Sequence, residues 1–513
     1  MPGPIKPQNM VGIWSTPILG VLRNMPIHVI PADGLYDSLN VVVRGGVLQQ
    51  RPGLTTFVAG TLTGRPTGAF NSGMIASGAF QEDAFQNDAF QIAANVPATT
   101  LVVGTTRKIY AYFGGMWNDV TGTTLAATDA QLARFASLFV HSLGKHVILH
   151  VNGVDAPRHW DTTTATFQTT GGSPPATMVD IASVADHFVG IIPPYQLRWC
   201  NNQAFETWPA ANVKAISDKG DPLIAIRAMG QYGAVVYGAR SLWSFFPSGD
   251  PTESVFFTAQ NRGGFDGPAG TQAVTDANGT HYWMTDTGRI GAFDGNSVTW
   301  VADGVWPVVD ADMDFNNRAR VFAVYEPRFK EVWFYYPRMG DNGDCKGAVC
   351  LVLPRPMDGI MDHIAFPMRI ERSLSAGVDL RLDLRKSMVF QIDGASYLVE
   401  GANDQGNEFT GFLQTGLTPA PGEEMFGVSA FDVYCQRGGG FGSLSASVVS
   451  SFILDLQGGT ISTTKTIDLT QTPVFEPFGK DVRGRFFGLK IDFTTPVTLR
   501  YQGARLAADP RMG

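Results

Sequence analysis

The sequence has few charged residues and no concentration of positive charge. Only 16% of its 513 residues are Asp, Glu, Lys or Arg, compared with about 25% in typical soluble proteins. The 38 basic residues form no run longer than two, and the net charge is -8. Tight binding to nucleic-acid phosphates needs clustered Lys and Arg, so the composition argues against it. We expect a chain with so few charges to cover much of its surface with a partner or with copies of itself.

Cysteine and long apolar segments are also scarce. Four cysteines are too few for a disulfide framework in a chain of this length, and we expect buried thiols. The spacing of Cys345 and Cys350 does not fit a zinc knuckle. The apolar run at residues 11–22 is short and interrupted by a proline. It predicts neither a signal peptide nor a membrane span, so we expect synthesis in the cytosol without membrane insertion.

Motifs of common enzyme chemistries are missing from the sequence. It contains no His-Glu-x-x-His, no nucleophile elbow and no phosphate-binding loop. His146 and His150 could share one face of a strand, but their spacing fixes no third metal ligand. Asp286, Asp294 and Asp310 could act as glycosidase carboxylates, yet their sequence contexts favour tight turns. We therefore predict a protein that is not an enzyme, with no catalytic residue, cofactor or metal.

The abundant residues predict strands and turns. The 58 glycines and 31 prolines indicate frequent turns, and the many Phe, Trp and Tyr residues favour strands. A helical pattern is conceivable only at residues 127–139. Between residues 38 and 401, bundles of two or three strand-like segments recur about every 40 to 60 residues, which is typical of β-propeller blades.

This pattern predicts an all-β fold with three parts. Residues 31–401 are assigned to a β-propeller of six or seven blades, each burying its faces against its neighbours. Residues 1–30 are rich in proline and predict an extended N-terminal arm. Residues 402–513 predict an antiparallel β-sandwich, and a string of sandwiches is the alternative for the whole chain. Five tryptophans near bundle ends are expected to pack between blades: Trp117, Trp160, Trp208, Trp243 and Trp333.

Residues 68–96 interrupt the blade rhythm with an Ala-Phe-Gln repeat. In "GAFQEDAFQNDAFQIA" (residues 78–93), a Phe recurs every five residues, a step that neither a strand nor a helix keeps on one face. A four-sided coil, an ordered excursion onto the same blade or the next subunit, and a mobile gate loop all remain open. Deletion of residues 78–93 is expected to leave the propeller folded but to impair assembly or DNA retention. The candidate gate or inter-subunit contact residues are Phe80, Glu82, Asp83, Phe85, Asp88 and Phe90.

Four stretches carry a resemblance to a known family. They are "SLNVVVRGGVLQQRPGL" (38–54), "ADHFVGIIPPYQLRWCNNQAFETW" (185–208), "GARSLWSFFPSGDP" with "THYWMTDTGRIGAFDG" (238–251 and 280–295), and "VYEPRFKEVWFYYP" (324–337). In their order and spacing, the chain resembles the tail nozzle, or hub, proteins of short-tailed bacteriophages. This family includes proteins described as tail tubular protein B or as the packaged-DNA stabilisation protein. The likeness covers about residues 35–340 and is vaguer beyond.

The resemblance implies a structural role in the tail of a virion, after synthesis in the host cytoplasm. Such proteins form a homo-oligomeric ring, usually a hexamer, below the adaptor ring of the portal vertex. The ring retains packaged DNA and conducts it during ejection. The implied partners are other copies of the chain, the head-tail adaptor ring, tail fibres or spikes, and a tail needle or internal ejection proteins. Double-stranded DNA would pass without sequence-specific binding, and a neutral or acidic channel wall would let it slide because no phosphate contacts have to break.

The alternative function is a carbohydrate-binding or depolymerising propeller of a phage tail that recognises a host receptor. In that case, exposed aromatic rings would stack on sugars. This alternative predicts a monomer or trimer, whereas the nozzle hypothesis predicts a ring, so the number of copies in the assembly distinguishes the two.

Overall fold

The computed structural model describes residues 10–72, 100–161, 163–216, 220–230, 233–380, 386–419, 426–435, 443–451, 460–468, 476–495 and 499–508. Over these residues the chain is all-β, which confirms the predicted class. The one α-helix in these ranges is α1 (Trp306–Asp312). None of the helices described there has the length and apolar character needed to cross a membrane.

The first five strands pair mainly with distant parts of the chain. Only β3 and β4 form a hairpin with each other. The strands are β1 (Met10–Ser15), β2 (Leu35–Leu39), β3 (Val41–Arg44), β4 (Val47–Gln50) and β5 (Leu54–Val58).

Residues 66–301 form five antiparallel sheets of four strands, and within each sheet every strand pairs with the next one along the chain. Sheet 1 contains β6 (Pro66–Asn71), β7 (Leu101–Thr105), β8 (Ile109–Phe113) and β9 (Met116–Asp119). Sheet 2 contains β10 (Arg134–Val140), β11 (Lys145–Val151), β12 (Arg158–Trp160) and β13 (Gln168–Thr169). Sheet 3 contains β14 (Asp180–Val184), β15 (His187–Ile192), β16 (Gln196–Trp199) and β17 (Val213–Ala215). Sheet 4 contains β18 (Leu223–Met229), β19 (Gly233–Gly238), β20 (Ser241–Pro247) and β21 (Phe257–Gly264). Sheet 5 contains β22 (Val274–Ala277), β23 (Thr280–Met284), β24 (Ile290–Phe293) and β25 (Val298–Val301).

A seven-stranded sheet follows α1 and divides within one long strand. Its strands are β26 (Phe322–Glu326), β27 (Glu331–Pro337), β28 (Cys345–Val352), β29 (Ile364–Leu380), β30 (Lys386–Gln391) and β31 (Ser396–Val399), with β5 on the outer edge beside β31. The first part of β29 pairs with β28, and its part from residue 374 onward pairs with β30. We call β26–β28 with the first part of β29 sheet 6, and the second part of β29 with β30, β31 and β5 sheet 7.

The first strands of these seven sheets contact one another in a closed order. β6 contacts β10, and the contacts continue through β14, β18, β22, β26 and the second part of β29, which contacts β6 again. Each pair of neighbouring sheets also shares a hydrophobic core. Trp160, Trp208 and Trp333 are buried in three of these cores, and Trp117 and Trp243 pack against two others. The prediction that the tryptophans pack between sheets is therefore confirmed.

Sheet 5 illustrates how the sequence accommodates these large rings. The fully buried Trp283 lies directly opposite Gly291 on the neighbouring strand. A Cβ at Gly291 would lie 2.3 Å from the indole ring. Glycine is required here because any side chain would overlap the tryptophan.

Two six-stranded sheets combine both ends of the chain. The C-terminal strands are β32 (Thr410–Thr415), β33 (Thr418–Pro419), β34 (Phe426–Cys435), β35 (Ser443–Ser451), β36 (Thr460–Asp468), β37 (Glu476–Gly484), β38 (Phe486–Thr494) and β39 (Arg500–Ala508). Sheet 8 has the order β3-β4-β39-β34-β37, with β1 also paired to β39. Sheet 9 has the order β2-β32-β38-β35-β36, with β33 paired to β38. Sheets 8 and 9 share one hydrophobic core with sheets 6 and 7.

The N-terminal segment differs from the predicted arm and boundary. Residues 10–15 form a strand on β39, and Trp14, Val21 and Ile27 are buried in the chain itself. The described part of the predicted arm thus lies on its own sheets, because its apolar side chains complete their core. Strands β2–β4 belong to sheets 8 and 9, although they follow the boundary predicted at residue 31.

A buried ion pair joins the two ends of the chain where β4 leads into β5. Arg51 donates to both carboxylate oxygens of Asp404, at 2.8 and 2.6 Å, and both side chains are fully buried. Arg51 also donates to the Asn40 side chain at 3.0 Å and stacks 3.7 Å from the Phe409 ring centroid. Asp404 receives a further bond from the Glu371 backbone N–H at 2.8 Å. This cluster fixes sheet 7 to sheets 8 and 9.

The helical pattern at residues 127–139 does not produce a helix. Residues 134–140 form β10 and pair with β11 in continuous antiparallel register. Phe135 faces the core shared with sheet 1, whereas Ala136 and Leu138 face the core shared with sheet 3. The alternation of two buried faces outweighs the helical spacing, because neighbouring sheets cover both sides of this strand.

Candidate functional site

The six candidate residues of the Ala-Phe-Gln repeat lie outside the described residues, which stop at 72 and resume at 100. The two flanking strands, β6 and β7, form an antiparallel pair that begins with Asn71 opposite Leu101. Ser72 and Thr100 continue this pair. The Ser72 N–H donates to the Thr100 carbonyl at 3.0 Å, and the Thr100 N–H donates to the Ser72 hydroxyl at 3.1 Å.

Because this ladder already joins the flanking residues, we expect deletion of residues 78–93 to preserve the fold. Circular dichroism should report the same fold, and the melting temperature should shift by no more than about 2 °C, because Ser72 and Thr100 already close the pair of strands. Assembly of particles or retention of DNA should be impaired. Normal particles from the deletion variant would remove the repeat from the functional account.

The first strands instead assemble a charged cluster at the centre of the seven-sheet order. Asp180, at the start of β14, is fully buried. It accepts a bond from Arg134 Nε of β10 at 2.7 Å and one from Arg227 Nη1 of β18 at 2.6 Å. The backbone N–H groups of Ile181 and Ile226 also donate to its two oxygens, at 3.0 and 2.9 Å. One carboxylate thus links three consecutive sheets.

Electrostatics hold this cluster in its ionised form. Burial opposes ionisation of Asp180, but the charges of Arg134 and Arg227 and the hydrogen bonds outweigh it, and its pKa is lowered. Burial and repulsion from Arg134 lower the pKa of Arg227 to about 10, although Asp180 opposes the shift. Arg227 therefore stays charged at neutral pH, and the ionised Asp180 is shared between two arginine side chains.

Further hydrogen bonds connect Arg227 and sheet 1 to the segment that leads into sheet 5. Arg227 donates to the carbonyl of Thr271 in the segment that leads into sheet 5. Gln272 Nε2, from the same segment, donates to the carbonyl of Thr67 in sheet 1. Sheets 1 and 5 are therefore bridged directly. On its other side, sheet 1 approaches the residue before β10 closely: a Cβ at Gly68 would lie 1.9 Å from the Ala133 carbonyl oxygen, so only glycine fits there.

Beside this cluster lies a cavity of about 380 Å³. Its walls come from the first strands of sheets 1, 5, 6 and 7 and from Arg134. Hydrogen-bonded side chains therefore span between the first strands of sheets 2, 3 and 4 and between sheet 1 and the segment that leads into sheet 5.

The sequence carries one signal for the charged cluster around Asp180. Asp180 is 46 residues after Arg134 and 47 residues before Arg227. A charged residue within a run of strand formers at nearly constant spacing is a mark of equivalent positions in repeated units. The partners cannot be inferred from this spacing alone, because the order of sheets around the axis is a property of the fold.

The other residues considered as sites have structural surroundings. His150 is buried, and burial lowers its pKa to about 3, so it stays neutral. Asp294 accepts bonds from the N–H groups of Asn296 and Ser297, which confirms its turn role. Asp310 lies on α1, so its predicted turn role is wrong: Pro307 supports the first turn of a helix there.

Cys200, Cys345 and Cys350 are free and buried, as predicted. Burial raises the pKa of the Cys200 thiol to about 12. Within the ranges that the structure describes, no group of three or more His, Cys, Asp and Glu side chains could hold a metal ion.

Comparison with known proteins adds no relative: no family model and no curated protein sequence matches the chain.

Proposed function

We propose that residues 54–399 form a seven-bladed β-propeller. Three observations support it: the closed order of contacts between first strands, the core between each pair of neighbours, and the pairing of β5 with β31. In such a ring, β5 from the start of the propeller forms the outer strand of the last blade. This pairing holds the first and last blades together and leaves β31 without a free edge. Sheets 8 and 9 are proposed to pack as a sandwich attached to blades 6 and 7.

We infer that the protein is a structural subunit of a phage tail hub or nozzle, where its copies form a ring below the portal adaptor. The proposal starts from the resemblance of residues 38–54, which contain the Gly-x-Leu and Arg-Pro-Gly elements. One observation carries it: Arg51 of this stretch is the buried link between sheet 7 and sheets 8 and 9. Gly53 is equally constrained, since a Cβ there would lie 2.0 Å from the Asn403 carbonyl oxygen. Residues of the stretch that carries the resemblance therefore connect sheet 7 to sheets 8 and 9.

The proposed DNA path lies between copies of the chain. In each copy, hydrogen-bonded side chains span between the first strands of sheets 2, 3 and 4 and between sheet 1 and the segment that leads into sheet 5. In a ring, the subunits themselves surround the opening, and DNA meets only their outer surfaces. The copies would then retain and guide the duplex without sequence-specific contacts.

The carbohydrate alternative loses its candidate residues. It needs exposed aromatic rings for stacking on sugars, but Trp160, Trp208 and Trp333 are buried, and Trp117 and Trp243 pack against hydrophobic cores. Exposed aromatic rings remain at Phe113, Trp306 and Phe315, so the number of copies in the assembly decides between the two functions.

We expect native mass spectrometry and negative-stain imaging to reveal a ring, with six subunits. The purified protein should be measured alone and after mixing with the adaptor ring of the same particle, since assembly can require that surface. A ring forms when one heterologous contact repeats and closes. A chain that stays monomeric or trimeric under both conditions would contradict the proposal.

A further inference from the structure

One edge of the seven-sheet order carries an acidic surface. Five carboxylates lie in the turns that join first to second strands, or third to fourth strands, in sheets 2, 3 and 4. Turns of these two kinds lie at the same end of an antiparallel sheet. We call this surface the acidic rim: Asp161, Asp186, Glu206, Asp250 and Glu253.

Hydrogen bonds hold the rim together across neighbouring turns. The Asn202 N–H donates to Glu253 at 3.0 Å, and the Gln203 N–H donates to the Asp186 carbonyl at 3.0 Å. Residues 161–167, 185–186, 200–212 and 248–256 contain no Lys or Arg. Three cations lie beside these turns: Lys145 is 3.7 Å from Asp161, Arg198 donates to the Trp208 carbonyl at 2.6 Å, and Lys214 donates to the Phe257 carbonyl at 3.2 Å. The five carboxylates outnumber them, so the rim is negative on balance.

A basic cleft lies at the junction of sheets 6 and 7 with sheet 8. The cleft has a volume of about 290 Å³, and four arginines contribute to its lining: Arg44, Arg51, Arg328 and Arg500. Two guanidinium groups stack on the Phe329 ring: Arg44 lies 3.8 Å and Arg328 4.2 Å from its centroid. Lys330 follows in the same turn and is exposed.

The carboxylates around this cleft leave Arg328 available. Glu331 accepts bonds from both Nε and Nη2 of Arg44 at 2.7 Å, and Asp404 is paired with Arg51. Glu400, which also lines the cleft, is paired with Lys386 at 2.6 Å. Arg328 is 38% exposed and makes no hydrogen bond to a described residue, and its nearest carboxylate oxygen is Glu326 Oε1 at 3.7 Å. Burial raises the pKa of Glu326, which weakens it as a counter-charge. Exposed arginine beside an aromatic ring is a common anchor in protein interfaces.

The rim and the cleft lie on opposite sides of the seven-sheet order. The rim belongs to sheets 2–4 and the cleft to sheets 6 and 7, two or three places away around the closed contact sequence. Two different complementary patches on opposite sides of one molecule produce a heterologous contact, and repetition of such a contact closes a ring. Charge complementarity also orients the partners as they approach.

We propose that the acidic rim of one copy docks on the basic cleft of the next copy. This inference rests on the ring assembly proposed above and assigns its subunit contact. Arg328 and Lys330 meet the exposed carboxylates Glu206 and Asp250. The contact weakens as salt rises, because at about 0.5 M NaCl the Debye length falls to about 4 Å.

The test uses charge reversal on each surface. The first variant carries Arg328→Glu and Lys330→Glu, and the second carries Glu206→Lys and Asp250→Lys. Each variant alone should lose the ring, with association at least about tenfold weaker, because like charges face each other. A single chain with all four substitutions should form the ring again. An equimolar mixture of the two variants should form rings of alternating copies, which close only with an even number of subunits.

A matched control changes the same charge at the other end of the sheets. Arg318→Glu with Lys346→Glu alters one exposed and one half-buried basic residue near the connections into sheet 6, and it should assemble like the unmodified chain. All variants should melt within about 2 °C of the unmodified chain, since the sites are on the surface. Rings that survive both reversals would overturn this contact but keep the proposed function. If the unmodified chain forms no ring with or without the adaptor, both proposals are wrong.

Discussion

Replacement of Arg51 by methionine is expected to destabilise the protein by about 3–5 kcal/mol, the usual cost of removing one partner from a buried ion pair. Asp404 would lose its counter-charge at a site without water, since both side chains are fully buried. The bond to Asn40 and the stacking on Phe409 would be lost as well. Thermal unfolding should show a melting temperature about 5–10 °C lower.

Two further variants separate the charge from the geometry. Arg51→Lys keeps the charge but cannot supply the paired donors that reach both oxygens of Asp404, so it should recover only part of the loss. Arg51→Met combined with Asp404→Leu removes both charges and should recover most of the stability, because an apolar pair of similar volume can replace a buried ion pair.

The control for this experiment is Arg23→Met. Arg23 lies 3.7 Å from Asp37, and both side chains are partly exposed. An ion pair of this kind contributes at most about 1 kcal/mol. If Arg51→Met melts as the Arg23→Met variant does, the junction does not depend on the buried ion pair. Ring assembly should fail with Arg51→Met, because the cleft proposed as the subunit contact is built on this junction.

Replacement of Asp180 by asparagine is expected to cost about 3–5 kcal/mol at neutral pH. The substitution keeps the shape of the side chain but leaves Arg134 and Arg227 without their shared counter-charge. Two guanidinium groups would then face each other at the centre of the seven sheets. Urea denaturation at pH 7 should give a lower midpoint for the variant. All sheets should unfold in one transition.

The effect of Asp180→Asn should depend on pH in a defined direction. Folding lowers the pKa of Asp180 below its ordinary value of 3.8. The ionised carboxylate therefore stabilises the fold above that pH, and its contribution is lost as the pH falls through the lowered pKa. The difference in stability between the two proteins should be constant from about pH 5 to pH 8 and shrink below about pH 4.

A second substitution tests whether charge is the cause. Arg134→Gln added to Asp180→Asn removes one of the two like charges and should recover part of the loss. If the stability difference between Asp180→Asn and the unmodified chain is the same at pH 3 as at pH 7, hydrogen-bond geometry and not ionisation causes the loss.

Several features of the fold could be predicted because they depend on residue type and immediate neighbours. The turns at Asp294 and the burial of Trp160, Trp333 and the described cysteines are of this kind. Residues 127–139 mark the limit of such reasoning, since their spacing suits a helix while the strand β10 is covered on both faces by other sheets. The pairing of β5 with β31 could not be predicted either, because the two strands are far apart in the sequence. The Thr55 hydroxyl, for example, donates to the Glu400 carbonyl, 345 residues away.

The amino-acid sequence by itself determined that this protein is built from strands, where many of its turns fall and which large side chains leave water. These properties follow from backbone preference and transfer from water, and both act within a few residues. Only the tertiary structure decided that Arg51 meets Asp404 and that Asp180 meets two arginines. Such pairs join distant segments, and their partners are selected by the order in which whole sheets pack.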